Sequence, residues 1–376
     1  MAFSALATES DQDMEIYLAS DSSGEFVSKR LTDDDKEQWE PEVKVDNDDM
    51  AHLAYSEYNY SEETMQLRYG WLAEGKFFSE EITDRTAYDF IGIDMVLSED
   101  GVLHVFYPDD SFYLSHAYAS VHQKANWSTE RIDEIFGIMP SAVNDAQDKL
   151  HVTYITEEED VYDTMFIHYV ANENGVWKNE FVVEKGEPEY ILVEGPSIAL
   201  DTRVIPHIVW AYPTIVDNEY CYDIHYSVKT DIGWFSEKVT DTPYENEMPG
   251  TGHFFVIDTQ DYGHLVYSAE DDYGVYQVYY AKSKHPLTVA EHPVVAKPFY
   301  LDIRGSTMNF SLPNASSIRL DLFDACGRSV CCIASGIYAA GEHSIPINQA
   351  ELPAGVYFVQ GEIAGRSASA KFVLTK

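Results

Sequence analysis

Residues 196–241, PSIALDTRVIPHIVWAYPTIVDNEYCYDIHYSVKTDIGWFSEKVTD, contain four short runs of apolar and aromatic residues separated by turn-forming residues. Their alternation and their content of Val, Ile, Tyr and Trp are typical of half-buried strands. The second run starts at His207 and places Trp210 three residues later. The same His-x-x-aromatic pattern starts at His52, His104, His151 and His264, at spacings of 52, 47, 56 and 57 residues. A period near fifty that is made only of short strands predicts a β-propeller, with one sheet, or blade, per repeat.

Each repeat has four kinds of strand in a fixed order. In the quoted copy they are Pro196–Leu200, the histidine strand, Tyr222–Lys229 and Trp234–Val239. Strands of the third and fourth kinds precede the first full repeat, and a third-kind strand without a fourth follows the last histidine strand. The N-terminal fourth-kind strand, residues 25–31, is therefore predicted to complete the last blade and close the ring. Five blades is the preferred count. Six blades, with a partial blade at each end, is the alternative.

The composition divides the chain into two parts. The whole chain has a net charge of −41, yet residues 297–376 hold six acidic and seven basic residues. Residues 1–296 hold all six Trp, and three of the four Cys lie in the tail. This shift predicts two domains, a propeller at 1–290 and a C-terminal domain at 300–376, with a linker at 291–299 between them. The family resemblance of the tail, described below, implies that the second domain is a small Ig-like β-sandwich, which makes the whole chain all-β.

The negative charge limits the partners. Nucleic acid and anionic membrane surfaces bind clusters of Lys and Arg, so neither is predicted to bind here. No stretch is long and apolar enough to span a bilayer. The first residues, MAFSALATESDQD, lack the basic start and the full apolar run of a signal peptide.

The five repeated histidines have two interpretations. One is a ring of metal ligands. The other is a set of buried side chains whose ring nitrogens bond a hydroxyl or carbonyl group, one in each blade. Because one copy lies at the same strand position of every repeat, the rings would be too far apart to share a metal, and the packing role is preferred.

The loops between the second and third strands, and the links between blades, combine acidic residues with aromatic ones. Aromatic faces can stack on sugar rings while carboxylates accept hydrogen bonds from hydroxyl groups. The predicted ligand-binding residues are Trp39, Tyr58, Tyr60, Tyr88, Asp109, Asp110, Phe112, Tyr162, Tyr190, Tyr220, Tyr244 and Tyr273. Closely spaced acids could instead hold Ca²⁺, which needs six to eight oxygen ligands. The weak calcium candidates are Glu157, Glu158, Glu159 and Asp160. No other cofactor is predicted.

The repeat at 196–241 resembles the repeats of sialidase-type bacterial propellers. The sequences NENGVW (172–177) and KTDIGW (229–234) look like eroded Asp-boxes, which in that family occupy the turn between the third and fourth strands. The family's catalytic set needs three arginines, whereas residues 1–296 hold only Arg30, Arg68, Arg85, Arg131 and Arg203. Sialidase activity is therefore not expected. No nucleophile, zinc-protease or phosphate-loop motif is present either. Cys221 is expected to be buried rather than reactive.

The tail, residues 320–376, resembles the C-terminal sorting domain of the type 9 (Por) secretion system of Bacteroidetes. The turns at LFDACGR (322–328) and LPAGVYF (352–358) and the closing strand at 371–376 keep the order and spacing of that family. The resemblance implies export to the exterior or the cell surface, with the type 9 machinery as partner. Cys326, Cys331 and Cys332 depart from the family pattern, and an oxidising exterior would permit a bridge from Cys326 to one of the other two.

Together these observations predict a secreted or surface-exposed binding protein whose propeller presents an acidic, Tyr-rich loop face to a glycan or protein ligand. The alternative is a secreted glycoside hydrolase acting on polysaccharide, with its catalytic acids hidden among many carboxylates. Two carboxylates roughly 5–10 Å apart in one aromatic-lined cleft would favour the hydrolase.

Overall fold

A computed structural model describes most of the chain. The described residues are 1–6, 14–21, 24–61, 63–83, 92–121, 126–157, 165–185, 195–216, 219–230, 233–240, 247–249, 253–270, 275–287, 301–304, 307–312, 316–325, 327–338, 341–347, 352–363 and 366–374. They form strands, turns and bends, so the prediction of an all-β chain is confirmed. No helix capable of crossing a membrane occurs among them.

The chain forms two compact units, Met1–Thr288 and Val289–Lys376. The predicted linker at 291–299 lies outside the described residues, and the predicted domain boundaries stay a prediction.

The first unit contains four antiparallel sheets of four strands each, in the order that the repeat predicts. The first repeat sheet consists of β4 (Glu37–Val45), β5 (Ala51–Asn59), β6 (Thr64–Ala73) and β7 (Lys76–Thr83). The second consists of β8 (Asp94–Leu97), β9 (Val102–Pro108), β10 (Tyr113–Ser120) and β11 (Ser128–Phe136). The third consists of β12 (Ile138–Asn144), β13 (Leu150–Glu157), β14 (Met165–Glu173) and β15 (Val176–Lys185). The fourth consists of β16 (Ser197–Leu200), β17 (Pro206–Val216), β18 (Glu219–Thr230) and β19 (Gly233–Lys238).

The fifth repeat sheet has an interrupted first strand. Its strands are β20 (Glu247–Pro249), β21 (Phe255–Ile257), β22 (Gly263–Glu270) and β23 (Tyr276–Lys282). Both β20 and β21 pair with β22, and β23 pairs with β22 along its whole length. Since β23 takes one edge of β22, β20 and β21 together occupy the other edge, where the first strand of every other repeat lies.

The first strands surround a common axis, as in a β-propeller. Consecutive first strands are tied by side-chain oxygens that accept backbone N–H groups of the next sheet. Asp94 accepts from Ala142 at 2.6 Å, Ser141 from Ile198 at 3.3 Å, and Ser197 from Phe255 at 3.3 Å. His253, immediately before β21, then lies 3.0 Å from Asp94 in the second sheet. The space enclosed by the first strands is called the channel below.

Hydrophobic cores fill the spaces between neighbouring sheets. Tyr69 of the first sheet packs with Val105 of the second, and the same kind of contact joins each later pair of repeat sheets. A repeated tryptophan on the fourth strand donates its indole N–H to a glutamate of the preceding sheet. The pairs are Trp127 with Glu80, Trp177 with Glu130, and Trp234 with Glu180, at 3.0–3.3 Å. The tryptophans of the two eroded Asp-boxes are thus inter-sheet ties.

His52, His151 and His207 are buried and His104 and His264 are half-buried, as the packing interpretation expects. In four sheets the Nδ1 atom lies 2.5–2.7 Å from a tyrosine hydroxyl of the third strand. In the same sheets Nε2 lies 2.9–3.6 Å from an aspartate in the turn after the first strand. The sets are Asp46, His52 and Tyr69; Asp145, His151 and Tyr169; Asp201, His207 and Tyr226; and Asp258, His264 and Tyr280. We call them the Asp–His–Tyr sets.

The N-terminal strands do not complete the last repeat sheet as predicted. β1 (Ala2–Leu6), β2 (Met14–Ser20) and β3 (Val27–Arg30) form a separate sheet whose Ile16 packs against Leu53 and Tyr55 of the first repeat sheet. Among the described residues β3 pairs with β2 and β23 pairs with β22, so the predicted pairing of β3 with β23 is wrong. The reason is that β1 supplies β2 and β3 with a second-kind strand of their own. The blade count stays a prediction.

The second unit consists of two sheets over one hydrophobic core. One sheet contains β24 (Leu301–Arg304), β25 (Thr307–Leu312) and β28 (Gly341–Pro346). The other contains β26 (Ser316–Asp324), β27 (Ser329–Tyr338), β29 (Gly355–Ile363) and β30 (Arg366–Leu374). Phe310 of the first sheet packs with Leu320 and Val359 of the second. Cys331 and Cys332 are free thiols, while Cys326, the other end of the bridge considered above, lies outside the described residues.

Candidate functional site

The links between blades and the loops between second and third strands lie at the same end of each sheet. In the first sheet Glu37, which follows the link, pairs with Tyr58 at the end of the second strand. This end is the loop face on which the ligand-binding residues were predicted. The turns that hold Asp46, Asp145, Asp201 and Asp258 lie at the opposite end.

Six of the predicted ligand residues have described side chains. Tyr58 and Tyr60 form an edge-to-face pair with ring centroids 4.9 Å apart, and Tyr60 is 52% exposed. Trp39 is half-buried and its indole N–H lies 3.3 Å from Glu37. Phe112 stacks on Phe136 with centroids 5.8 Å apart, so its ring fills a structural contact. Asp109 and Asp110 are described next.

The other predicted residues lie outside the described residues. These are Tyr88, Tyr162, Tyr190, Tyr244, Tyr273, Glu158, Glu159 and Asp160. Tyr220 and Glu157 belong to described strands, but their side chains are not among the described ones.

Asp109 and Asp110 line a polar pocket beside the loop of the second sheet. The pocket has a volume of about 210 Å³. Its lining residues are Thr83, Tyr107, Asp109, Asp110, Ser115, Thr129, Glu130 and Arg131. Pockets for drug-sized ligands span roughly 300–1,000 Å³, so this one has room for a single small polar unit. Hydroxyl, carboxylate and guanidinium groups converge on it, and such groups both donate and accept hydrogen bonds.

Asp109 shapes the pocket from a buried position. Its Oδ1 accepts the backbone N–H groups of Ser111 and Tyr113, at 2.9 and 3.1 Å. Its Oδ2 accepts from Ser115 at 3.3 Å and from the Arg131 Nε–H at 2.5 Å. The Arg131 guanidinium also lies over the Tyr113 ring, 4.6 Å from its centroid. Asp109 therefore fixes the turn and the arginine, while the neighbouring Asp110 carboxylate is exposed.

Glu130 is held in the pocket wall by two donors from outside it. Its Oε1 lies 3.0 Å from the Trp177 indole nitrogen and 3.1 Å from His116 Nδ1. His116 Nε2 in turn lies 2.9 Å from Nδ1 of the repeated His104. The hydrogen bond from His116 lowers the pKa of Glu130, so the wall carries an ionised carboxylate. Burial lowers the pKa of His104 to about 4, and it lowers the pKa of His116 as well. Near neutral pH a neutral imidazole pair thus holds an anionic acceptor.

A second group of ionisable residues lies in the channel, where the repeat is broken. Glu42 and Asp94 occupy the register position that Ser141 and Ser197 occupy in the third and fourth sheets. Lys44 lies opposite the repeated His52, where the other sheets place an apolar residue. Those apolar residues are Val96, Val143, Ala199 and Val256. His253 stands three residues before Val256, where the first, third and fourth repeats have proline.

These four residues lie close together although they come from three sheets. One ligand atom each of Glu42, Asp94 and His253 lies within 4.8 Å of the others. The Lys44 ammonium lies 3.1 Å from His253 Nε2, which is also 3.0 Å from Asp94 Oδ1. Asp94 is fully buried and accepts the backbone N–H groups of Met95 and Ala142, both at 2.6 Å. We call Glu42, Lys44, Asp94 and His253 the channel cluster.

The carboxyl groups in the channel differ in acidity. Burial and the charge of Asp94 together raise the pKa of Glu42 to about 7, against the charges of His253 and Lys44, which lower it. Burial also raises the pKa of Glu40 to about 7, against a hydrogen bond from the Gly92 N–H. Burial alone would raise the pKa of Asp94, but His253 and Lys44 outweigh it and lower the value. The Asp94 charge correspondingly raises the pKa of His253. Asp94 and His253 thus favour each other's charged forms, beside two carboxyl groups whose pKa values are near 7.

The described arginines of the first unit do not converge on one site. Arg30 contacts Glu15 in the N-terminal sheet, and Arg68 contacts Glu57 in the first repeat sheet. Arg131 contacts Asp109 in the second sheet, and Arg203 contacts Asp201 in the fourth. Arg85 lies outside the described residues. Among the described residues there is accordingly no three-arginine cluster.

Sequence reasoning missed the channel cluster and Glu130. The signal for the cluster was present, because an alignment of the five repeats shows charged residues where serine, valine or proline recurs. Glu130 does not depart from the repeat pattern, because the equivalent Glu80 and Glu180 also accept a hydrogen bond from a tryptophan indole.

No protein-family model matches the chain, and no curated protein is similar to it. Solved structures that are similar in fold include the following three. A polysaccharide lyase of family PL25, an ulvan lyase, is 10% identical with a TM-score of 0.44, and the match covers 88% of this chain and 90% of that one. An endo-arabinase from Bacteroides thetaiotaomicron is 13% identical with a TM-score of 0.41, covering 65% of this chain and 93% of that one. An intramolecular trans-sialidase from Ruminococcus gnavus is 10% identical with a TM-score of 0.46, covering 75% and 90%. Similarity at this level does not identify an activity.

Proposed function

We propose that the chain is a carbohydrate-binding propeller and that the pocket at Asp110, Glu130 and Arg131 holds one sugar unit of a glycan. The observation that carries this proposal is the pocket itself, about 210 Å³ in volume and lined by hydroxyl, carboxyl and guanidinium side chains. It lies at the loop face, beside residues that the sequence had already marked.

The wall of the pocket supports a ligand rich in hydroxyl groups. The carboxylates of Asp110 and Glu130 can accept hydrogen bonds from sugar hydroxyls, and Thr129 can both accept and donate. Glu130 is fixed by Trp177 and His116, so little rotamer entropy is lost when it binds a ligand. The exposed Tyr60 ring and the half-buried Tyr58 ring offer further contact area on the loop face, in the first sheet.

The charge of the chain favours a neutral glycan over an acidic one. The net charge of −41 arises in the propeller, since residues 297–376 contain nearly equal numbers of acidic and basic residues. A strongly negative surface repels sulfated or uronic-acid polymers over distances up to the Debye length, about 8 Å at physiological salt.

Binding can be tested with a glycan array followed by titration calorimetry on the best neutral ligand. Asp110→Asn and Glu130→Gln keep the size of each side chain and remove its charge, and the glutamine can still accept from Trp177 and His116. We expect each to weaken binding about tenfold, the loss of one hydrogen bond to a charged group. Asp48→Asn is the matched control, because Asp48 is an exposed acid at the opposite end of the first sheet. A blank array, or equal affinities in all three variants, would contradict the proposal.

Hydrolysis of the bound glycan is the second candidate, because Asp109 and Glu130 place two carboxylates in one pocket. A reducing-sugar assay on the ligands found by the array distinguishes the two functions. Release of new reducing ends that is lost in Glu130→Gln favours hydrolysis, whereas binding without release favours the lectin-like function.

Export to the exterior, with the second unit as a type 9 sorting signal, stays a proposal that rests on the sequence resemblance at 320–376. Its test is secretion of a carrier protein fused to residues 300–376 in a bacterium that has the type 9 machinery, with a strain lacking the machinery as control. Retention of the fusion in both strains would contradict it.

A further inference from the structure

Four repeat-breaking residues meet in the channel, and the proposed glycan pocket uses none of them. In a repeat protein, equivalent positions pack against equivalent neighbours and therefore tend to hold similar residues. When several blades have unusual residues that meet at one place, packing alone does not explain them. Ser141 and Ser197 show that a serine is enough to tie neighbouring first strands. Because a serine is sufficient for this hydrogen bond, the bond does not explain why the chain has a buried aspartate at Asp94 and a glutamate at Glu42.

The donor atoms have the chemistry and spacing of a metal site. Glu42 and Asp94 offer carboxylate oxygens and His253 offers an imidazole nitrogen, within 4.8 Å of one another. Ligand bonds of about 2.0–2.2 Å in tetrahedral geometry put neighbouring donor atoms about 3.3 Å apart. His253 Nε2 and Asp94 Oδ1 are already 3.0 Å apart, and a carboxylate oxygen of Glu42 lies within 4.8 Å of both.

Hydrogen bonds from the backbone fix the orientation of the Asp94 carboxylate, as is usual for metal ligands. Its two oxygens accept N–H groups from Met95 and Ala142, so the carboxylate is oriented by two backbones that belong to different sheets. Such outer hydrogen bonds fix the direction of metal ligands in proteins. One oxygen of Asp94 still faces His253.

Lys44 shows that the chain places a positive charge at this spot. Its ammonium lies 3.1 Å from His253 Nε2, the same nitrogen that approaches Asp94. The Lys44 ammonium and a proton on His253 Nε2 cannot both point into this contact, so the lone pair of Nε2 faces the ammonium. A metal ion bound at Nε2 would compete with Lys44 for this position.

We propose that Glu42, Asp94 and His253 bind one divalent transition-metal ion, with Zn²⁺ as the best fit, and that the ion displaces the Lys44 ammonium. The mixed nitrogen and oxygen donor set favours zinc and its neighbours over calcium, which takes oxygen ligands only. The site is independent of the predicted calcium candidates at 157–160 and of the glycan pocket.

The test is titration calorimetry of the full chain with ZnCl₂, MnCl₂ and CaCl₂ after treatment with EDTA. We expect one zinc ion per chain, weaker binding of manganese and no comparable calcium binding. Glu42→Gln and Asp94→Ser should each weaken zinc binding at least tenfold. Lys44→Met should strengthen it severalfold, because the competing ammonium is removed. His264→Gln, which alters an Asp–His pair outside the channel, is the control and should leave the affinity unchanged.

Circular dichroism of each variant shows whether it is folded, and Co²⁺ gives a second readout through the absorption bands of a mixed nitrogen and oxygen site. Absence of zinc binding overturns the proposal, as does zinc binding that the two ligand variants leave unchanged. Unchanged affinity in Lys44→Met overturns the displacement by the ion.

Discussion

The histidines of the Asp–His–Tyr sets and His253 lie in the same propeller but in different surroundings. Each histidine of these four sets lies between an aspartate and a tyrosine of its own sheet, as His207 does between Asp201 and Tyr226. His253 instead contacts Asp94 and Lys44, which belong to two other sheets. The first arrangement recurs because it fastens each sheet internally. The second occurs at one place and brings distant parts of the chain together. Recurrence thus separates a structural histidine from a candidate functional one.

The Asp–His–Tyr sets also differ among themselves in how well they are covered. His207 and the side chain of Asp201 are completely buried, whereas the His264 side chain is 22% exposed and Tyr280 is 63% exposed. The next repeat sheet packs over the set in the fourth sheet, while the set in the fifth sheet has no such cover in the described part of the chain.

The largest expected effect follows from this difference. His207→Gln should lower the free energy of unfolding by about 3 kcal/mol, because glutamine cannot reach both the buried Asp201 carboxylate and the Tyr226 hydroxyl. His264→Gln should lower it by only about 1 kcal/mol, since water can solvate the partners. Urea unfolding followed by tryptophan fluorescence measures both values. Equal losses would show that burial does not determine the strength of these sets.

A pH dependence of stability is the next effect in size. Burial lowers the pKa of His151 from 6.5 to about 4, so the unfolded chain binds this proton more tightly than the folded chain does. Stability from this residue is therefore complete above pH 6.5 and is lost as the pH falls toward 4, by about 2 kcal/mol at pH 4.5. His151→Gln should reduce the slope of the unfolding free energy against pH by up to one proton in this window. An unchanged slope would mean that His151 is protonated in the folded protein.

The smallest effect is expected in the channel. Asp94→Ser introduces the residue that the third and fourth sheets have at this position, and a serine there can still accept the Ala142 N–H. We expect a loss of less than about 1 kcal/mol in the free energy of unfolding, measured in urea without added metal. Ser141→Ala, which removes a tie of this kind altogether, should cost about 1 kcal/mol. A loss well above that of Ser141→Ala would assign Asp94 to structure rather than to binding.

Much of the propeller could be predicted from the spacing of the histidines, because one sheet per period leaves few other architectures. The packing role of these residues could also be predicted, since a residue at the same strand position of each repeat has equivalent neighbours. Closure was predicted wrongly because residues 2–6 did not stand out as a strand, although β1 gives the N-terminal strands a partner of their own. Asp109 and Asp110 were predicted as ligand-binding residues and both line a pocket, but their role in binding stays a prediction. The sequence could not show that the Asp109 carboxylate is occupied by Arg131 and the turn.

The channel cluster required the structure, because its members are separated by up to 211 residues between Glu42 and His253. From the sequence alone, a charged residue in a strand is interpreted as solvent-exposed. Only the fold shows that it contacts a residue of another sheet. The comparison of repeats with one another shows which residues depart from the pattern, and the fold shows that the departures meet.

We infer that the repeated histidines stabilise the fold, whereas His253, which lies outside the repeat pattern, binds a metal ion. Differential scanning calorimetry of His207→Gln and His253→Gln, each with and without ZnCl₂, tests it directly. We expect that His207→Gln melts at a lower temperature than the parent protein and is still stabilised by zinc. We also expect that His253→Gln melts close to the parent protein without zinc and gains nothing when zinc is added. Equal stabilisation of both variants by zinc would contradict the role of His253 as a metal ligand.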